Sequence, residues 1–445
     1  MTAIPGLSMI PLTRAQLLLF GLTAMPLAML GIPLYLYLPL YYHDAFGMSL
    51  SAIGSAILAA RLLDGLTDPL IGHWSDRWCN APIRLGQWRG YFGRKGQMAL
   101  GALGLLAGLY QLLFAPWLAV NWGSLWLWSF VTYLGWTLMQ VPYQALAAEL
   151  SGDAHQKTRI TAYRESFAIV GVLLALSLPV LLEQNVTQTA FYSTLWHAVW
   201  GLVLLALLGL WLSGRGKKSV AHPTDTQNTT HQAWSLLKQL HQHSPQAFAI
   251  MPAYFLNNLA NALPASLFII FVTHYLQLQA QQGLFLMVYF GAGILALPVW
   301  LAIAKRFGKF KTWQLSMGLA SVSFLGVFWL QTGDVNGYLI ICVLTGLSLA
   351  IDLAMPASIQ ADISQRVAQQ TQTASGLLFG LWGLLTKLSL GVAVGLSLPL
   401  LDWANQHLTQ PNTMLLILYA LIPIALKIIA TWRLQSVLKR FDQAW

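Results

Sequence analysis

Twelve runs of mostly apolar residues, each near the roughly 20 needed to cross a bilayer as a helix, leave this chain little choice of fold. They lie near 15–42, 48–73, 96–118, 124–149, 159–183, 190–213, 246–275, 280–304, 312–331, 336–362, 373–401 and 411–435. In lipid the backbone must satisfy its own hydrogen bonds, so runs of this length read as transmembrane helices and the fold class as all-α. Composition agrees: 57% of the 445 residues are hydrophobic and 9% are charged, well outside the range of soluble domains. The first run is too long for the apolar core of a leader peptide, so no cleaved signal is expected.

The formal charge of +10 does not point to nucleic acid, because the positive residues gather on alternate loops. Arg77, Arg84, Arg89, Arg94 and Lys95 fall between runs 2 and 3, Arg215, Lys217, Lys218 and Lys238 between 6 and 7, and Lys305, Arg306, Lys309 and Lys311 between 8 and 9. Arg14, Arg433, Lys439 and Arg440 flank the two ends, while the opposite loops, such as HDAFGMS, carry no Lys or Arg. The positive-inside rule then puts both termini in the cytoplasm of a multi-pass protein of the cell's inner (plasma) membrane. Cys79 and Cys342 lie on a loop and in a helix, without a pairing or metal-ligand pattern. A monomer in membrane lipid, without nucleic-acid partner or bound cofactor, is expected.

A single long polar stretch, 215–245, separates residues 1–214 from 246–445, six runs on each side. Its AWSLLKQLHQ segment has the pattern of a short surface helix. Two six-helix halves are the plan of pseudo-symmetric transporters, whose sites lie near the midplane. GRKG at 93–96 and FGKFK at 307–311 occupy matching turns, and Pro26 and Pro33 in run 1 echo Pro252 and Pro264 in run 7.

Run 2 contains RLLDGLTDPLIGHWSDRW. At about 100° per residue, Arg61, Asp64 and Asp68 share one stripe with Gly65 and Gly72. Charge inside a bilayer is expensive, so this stripe faces the protein interior or a water-filled cavity. Two carboxylates a turn apart beside the Thr67 hydroxyl suit a hard monovalent cation or a shared proton; an internal salt-bridge network around Arg61 is the alternative. The excess negative charge needs a partner, and Lys387 in run 11 is the candidate. Further polar residues lie in run 4 (Trp136, Thr137, Gln140, Tyr143, Gln144), run 5 (Arg164, Glu165), run 7 (Asn257, Asn258, Asn261) and run 10 (Asp352). Together they describe a polar cavity, although a single amide can equally be interhelical glue.

The spacing R-x2-D-x3-D-P-x2-G-x3-D-R, here Arg61, Asp64, Asp68, Pro69, Gly72, Asp76 and Arg77, resembles the helix-2 signature of the glycoside-pentoside-hexuronide:cation symporters, the melibiose-permease-like branch of the major facilitator superfamily. YYHDAFGMSLSAIG (41–54), Thr137, Pro142, YRESFAIVG (163–171), Asp362 and Lys387 extend the match along nearly the whole chain. The resemblance implies the major facilitator fold. It implies a Na+ or H+ site at Asp64, Asp68, Thr137 and Thr67 beside Lys387, a cytoplasmic motif of Arg61, Gly72, Asp76 and Arg77, and a solute contact at Arg164. Sugar-carrying members place aspartates where Ala28 and Gln140 stand and a tryptophan where Gln144 stands. Members that carry lysophospholipid keep the ion motif without those aspartates.

The expected activity is cation-coupled symport of a small organic solute by alternating access. The alternative solute is lysophospholipid-like, anionic or amphipathic, held by Gln140, Gln144, Asn257, Asn261, Arg164, Asp352 and the Trp136 and Tyr143 rings. Arg164 paired with Glu165 or Asp352 is the plainer reading of that arginine. A lipid-acting membrane enzyme would need a nucleophile with a base, and His197 and His274 stand apart from any; a sensor that has lost transport is the third reading.

Overall fold

The computed structural model describes residues 13–80, 93–114, 120–149, 154–181, 189–212, 245–370 and 375–440. Among these the regular structure is helical, as an apolar chain without access to water requires. The first run begins at α1 (Arg14–Gly21), where Thr13 and Gln16 form a reciprocal capping box. It continues as α2 (Ala24–Ile32), a π-turn at Pro33–Tyr37 and α3 (Leu38–Phe46). Pro33 has no N–H to give the preceding turn, and the ladder widens there. α3 stops at Gly47, whose φ of +65° suits glycine; Gly47 and Met48 N–H close the turn onto His43 and Tyr42 carbonyls.

The remaining helices are α4 (Leu50–Asn80), α5 (Arg94–Phe114), α6 (Trp122–Glu149), α7 (Ala154–Leu181), α8 (Thr189–Leu212), α9 (Pro245–Ile270), α10 (Gln282–Phe307) and α11 (Lys309–Leu325). α12 (Val335–Gln370), α13 (Ser375–His407), α14 (Pro411–Leu416) and α15 (Ile422–Arg440) complete the series, with further π-turns at Phe271–Tyr275 and Ile417–Leu421. Among the described residues, nine helical segments are long and apolar enough to cross a membrane. Leu103, Leu295 and Val299 stand exposed on them, as lipid-facing residues do.

The chain divides into two compact units. One draws on Met1–Leu34, Leu66–Val120 and Leu127–Thr224, the other on Tyr35–Gly65, Asn121–Trp126 and Asp225–Trp445. This cut differs from a division at 215–245, of which residues through 244 lie outside the described set. In the first unit helices meet almost backbone to backbone: a Cβ on Gly135 (α6) would lie 2.2 Å from Leu105 N (α5), and one on Gly171 (α7) 2.2 Å from Met25 O (α2). Without a hydrophobic drive between helices in lipid, such close packing is what holds them.

In the second unit α9 packs on α13 and α15, and α12 on α10 and α11. Phe271 and Tyr419 stack at 4.0 Å, and the Tyr338 and Tyr419 hydroxyls meet at 2.6 Å. Residues 35–65 are tied in by the Tyr35 hydroxyl donating to Ala262 O at 2.8 Å and by the Trp122 indole N–H donating to Ser55 Oγ at 3.0 Å. Cys342 is a buried thiol.

Candidate functional site

The charged stripe of α4 meets α13 along an antiparallel seam in the second unit. Glycine makes the approach possible: a Cβ on Gly395 would lie 2.5 Å from Leu58, one on Gly54 2.8 Å from Pro399, one on Gly65 2.9 Å from Leu384 and one on Gly391 3.1 Å from the Arg61 Cβ. At one end of the seam Ser51 N–H donates to Asp402 Oδ2 at 3.1 Å, capping the first turn of α4 from the neighbouring helix. Near the other end, Lys387 Nζ lies 3.0 Å from Asp64 Oδ2, and Arg61 Nη1 lies 3.7 Å from the same oxygen. Asp64 is 1% exposed and Arg61 7%, so this carboxylate is held in a low dielectric by two cations. The Lys387 side chain is 21% exposed. It is the accessible member of the cluster.

One turn beyond Asp64, Thr67 and Asp68 are half-buried on α4 and belong to the first unit, as does the buried Thr137 of α6. A Cβ on Gly72 would lie 3.9 Å from Val141 Cγ1 of α6. The side chains of Asp76 and Arg77 lie outside the described residues. Gln140 and Gln144 are exposed, and Trp136 is half-buried against Gly31. The Tyr143 hydroxyl is committed: it donates to Phe20 O at 3.0 Å while its ring packs on Phe20. Arg164 donates to Glu165 Oε1 through Nε at 3.0 Å and Nη2 at 2.7 Å, so its fork of donors already holds a carboxylate.

Asn257, Asn261 and Asp352 come together, around a residue that sequence reasoning missed. Lys427 of α15 is 0% exposed; its Nζ donates to Asp352 Oδ2 at 2.7 Å and Asn257 Oδ1 at 3.0 Å. Asp352 also accepts from Asn261 Nδ2 at 3.1 Å and Ser316 Oγ at 2.8 Å. The surroundings are apolar, among them Ala253, Trp313, Met317, Ile351, Met355 and Ala430. The signal was a lone lysine inside LYALIPIALKIIATW; an intramembrane charge by default has a partner. Tyr254 of α9, a turn before Asn257, bonds Thr386 beside Lys387 at 2.7 Å.

Chemically, Asp64 and Lys387 form a pair that a small cation can split by replacing the ammonium, whereas Asp352 and Lys427 form a closed, fully buried pair.

A family model described as MFS/sugar transport protein matches residues 19–436. The chain belongs to this family. It is a multi-pass membrane transporter of the melibiose-permease-like branch of the major facilitator superfamily. This MFS/sugar transport chain is 26% identical to an uncharacterised symporter of Bacillus subtilis, YnaJ, over 88% of its own length and 85% of that protein's. It is 23% identical to sodium-dependent lysophosphatidylcholine symporter 1 of Xenopus tropicalis, covering 91% of this chain and 83% of the relative. The fold matches a crystal structure of the nucleoside transporter NupG with a TM-score of 0.65 and 13% identity, over 96% of this chain and all of that one.

Proposed function

We propose that the protein is a cation-coupled symporter in which Na+ or H+ competes with Lys387 for Asp64. The observation that carries this is the 3.0 Å contact between the Lys387 ammonium and a carboxylate that is 1% exposed. Asp64 faces two cations, Lys387 and Arg61. A Na+ or a proton arriving at Asp64 adds one positive charge, and the mobile member, Lys387, leaves. Release of Lys387 is then the step that links ion binding to rearrangement of α13. In this reading Asp68, Thr67 and Thr137 complete the cation site, and Arg61, Gly72, Asp76 and Arg77 serve the cytoplasmic end of the helix. The chain works by alternating access through twelve transmembrane helices in two six-helix halves, with both termini in the cytoplasm, as a monomer in the cell's inner membrane.

The solute is a small organic molecule of the kind the family carries. A second reading, a lysophospholipid-like amphipathic solute, is favoured by Gln140 and Gln144. They are exposed amides where sugar carriers place an acid and a tryptophan, and one relative is named as a lysophosphatidylcholine symporter. The pairing of Arg164 with Glu165 weakens the case for a purely anionic solute.

The test is reconstitution in liposomes with an imposed Na+ or proton gradient, supplying melibiose or lysophosphatidylcholine as probes. Gradient-driven accumulation lost in Asp64→Asn supports the reading. Accumulation by Asp64→Asn equal to that of the natural chain refutes it.

A further inference from the structure

Away from the charged cluster, α11 and α15 enclose a groove of about 470 Å3 on the outer surface of the second unit, within the size range of ligand sites. Its walls are Val322 and Leu325 on one helix and Ile424, Ile428 and Trp432 on the other. The two hydroxyls in it are already used: Ser321 Oγ donates to Met317 O at 2.8 Å and Thr431 Oγ1 to Lys427 O at 2.8 Å. Apart from the Gln435 amide and the Trp432 indole N–H, the lining therefore offers hydrocarbon contact. Gly318 forms the notch: a Cβ built there meets nothing within 4 Å.

Both walls run into lysine at the same end. On α11, Lys311 lies seven residues, or two turns, before Gly318; on α15, Lys439 lies one turn after Gln435, which also lines the groove. The helices are joined near that end by Gln314 Nε2 donating to Thr431 O at 3.5 Å. Lys311 and Lys439 are both exposed. This is also the end that carries Lys305 and Arg306 on one side and Arg433 and Arg440 on the other, while the nearby Lys309 is paired with Asp362, so a negative group arriving there meets a predominantly positive field.

We propose that this groove binds an anionic membrane phospholipid, one acyl chain lying over Gly318 and the phosphate resting between Lys311 and Lys439. The location fits a lipid and no other ligand class: the groove opens where apolar side chains such as Val322 and Ile428 are exposed, on helices of a membrane protein, and its only charged residues stand at the basic rim. A free phosphate would have no use for the apolar walls. A zwitterionic lipid would gain the walls and forgo the rim.

The experiment uses the full chain in nanodiscs of phosphatidylcholine with increasing phosphatidylglycerol of the same acyl chains, reading the thermal unfolding midpoint. Phosphatidylglycerol should raise the midpoint saturably, and high salt should blunt the effect. Lys311→Gln with Lys439→Gln should weaken the apparent affinity roughly fivefold per lysine, down to the response of phosphatidylcholine. Gly318→Leu grows into the notch from a Cβ that meets nothing within 4 Å, so it should keep its midpoint in pure phosphatidylcholine and lose the response to phosphatidylglycerol. Equal stabilisation by both lipids, or an undiminished response in Gly318→Leu, overturns the proposal. So does a change of oligomeric state in Gly318→Leu, which would make the groove a contact between copies of the chain.

Discussion

Replacing Lys387 with alanine should tighten, not weaken, the apparent affinity for the coupling ion. At 3.0 Å and an effective dielectric near 20, the Coulomb attraction between the ammonium and Asp64 is about 5 kcal/mol. Most of that does not appear as net stabilisation. The Lys387 side chain is 21% exposed, so water solvates the ammonium when it leaves, and Arg61 still compensates Asp64 from 3.7 Å. A remainder of about 1–2 kcal/mol is in line with measured couplings between neighbours, and 1.4 kcal/mol is tenfold in binding. Since the ion must displace Lys387, Lys387→Ala should lower the half-saturating Na+ concentration by about tenfold if sodium is the ion. The assay is thermal unfolding of the purified protein titrated with Na+ at constant ionic strength, and separately with pH in its absence. Solute need not be known. If neither ion binds more tightly to the variant, Lys387 is not a competitor and the exchange mechanism fails.

Asp64→Asn should abolish ion-dependent stabilisation yet leave folded protein, since the amide keeps the shape and drops the charge; the same titration checks it. Lys427→Met alone should cost about 3–5 kcal/mol by stranding the buried Asp352 carboxylate, whereas Lys427→Met with Asp352→Asn should recover much of the loss, read from the unfolding midpoint of the monodisperse fraction. Gly135→Leu should prevent α5 and α6 from closing, because even its Cβ would sit 2.2 Å from the Leu105 backbone, while Gly201→Leu, with nothing within 4 Å, should unfold like the natural chain.

Much of this was legible in the sequence because lipid makes the rules strict. Apolar runs had to be helices, and the charges of α4 were visible because nothing else near them is charged. What escaped was pairing across helices. Lys427 is a lone lysine in an apolar run, and its partner Asp352 lies 75 residues away in sequence, a pairing that no local pattern marks. Arg164 has a carboxylate next to it in sequence, and the pair at 2.7 Å is the local solution. Tyr143 has the spacing of a cavity residue, yet its hydroxyl satisfies a Phe20 carbonyl, a partner that no one-dimensional pattern marks. The π-turns were also hidden, because prolines in a helix predict a disturbance without naming its kind.

The seam between α4 and α13 carries an implication for how this family can vary. Ser51 meets Asp402, Gly54 meets Pro399, Leu58 meets Gly395, Arg61 meets Gly391 and Asp64 meets Lys387, each step backward on one helix matched by a step forward on the other. Substitution of a glycine tooth by a larger residue is resisted by close contact, a Cβ on Gly395 lying 2.5 Å from Leu58, but its effect is confined to that step. Adding or deleting a residue cannot, since it turns everything beyond it by about 100° and aims Asp64 away from its ammonium. Between 51 and 64, and between 387 and 402, the number of residues is therefore held more strictly than the identity of those that do not face the seam.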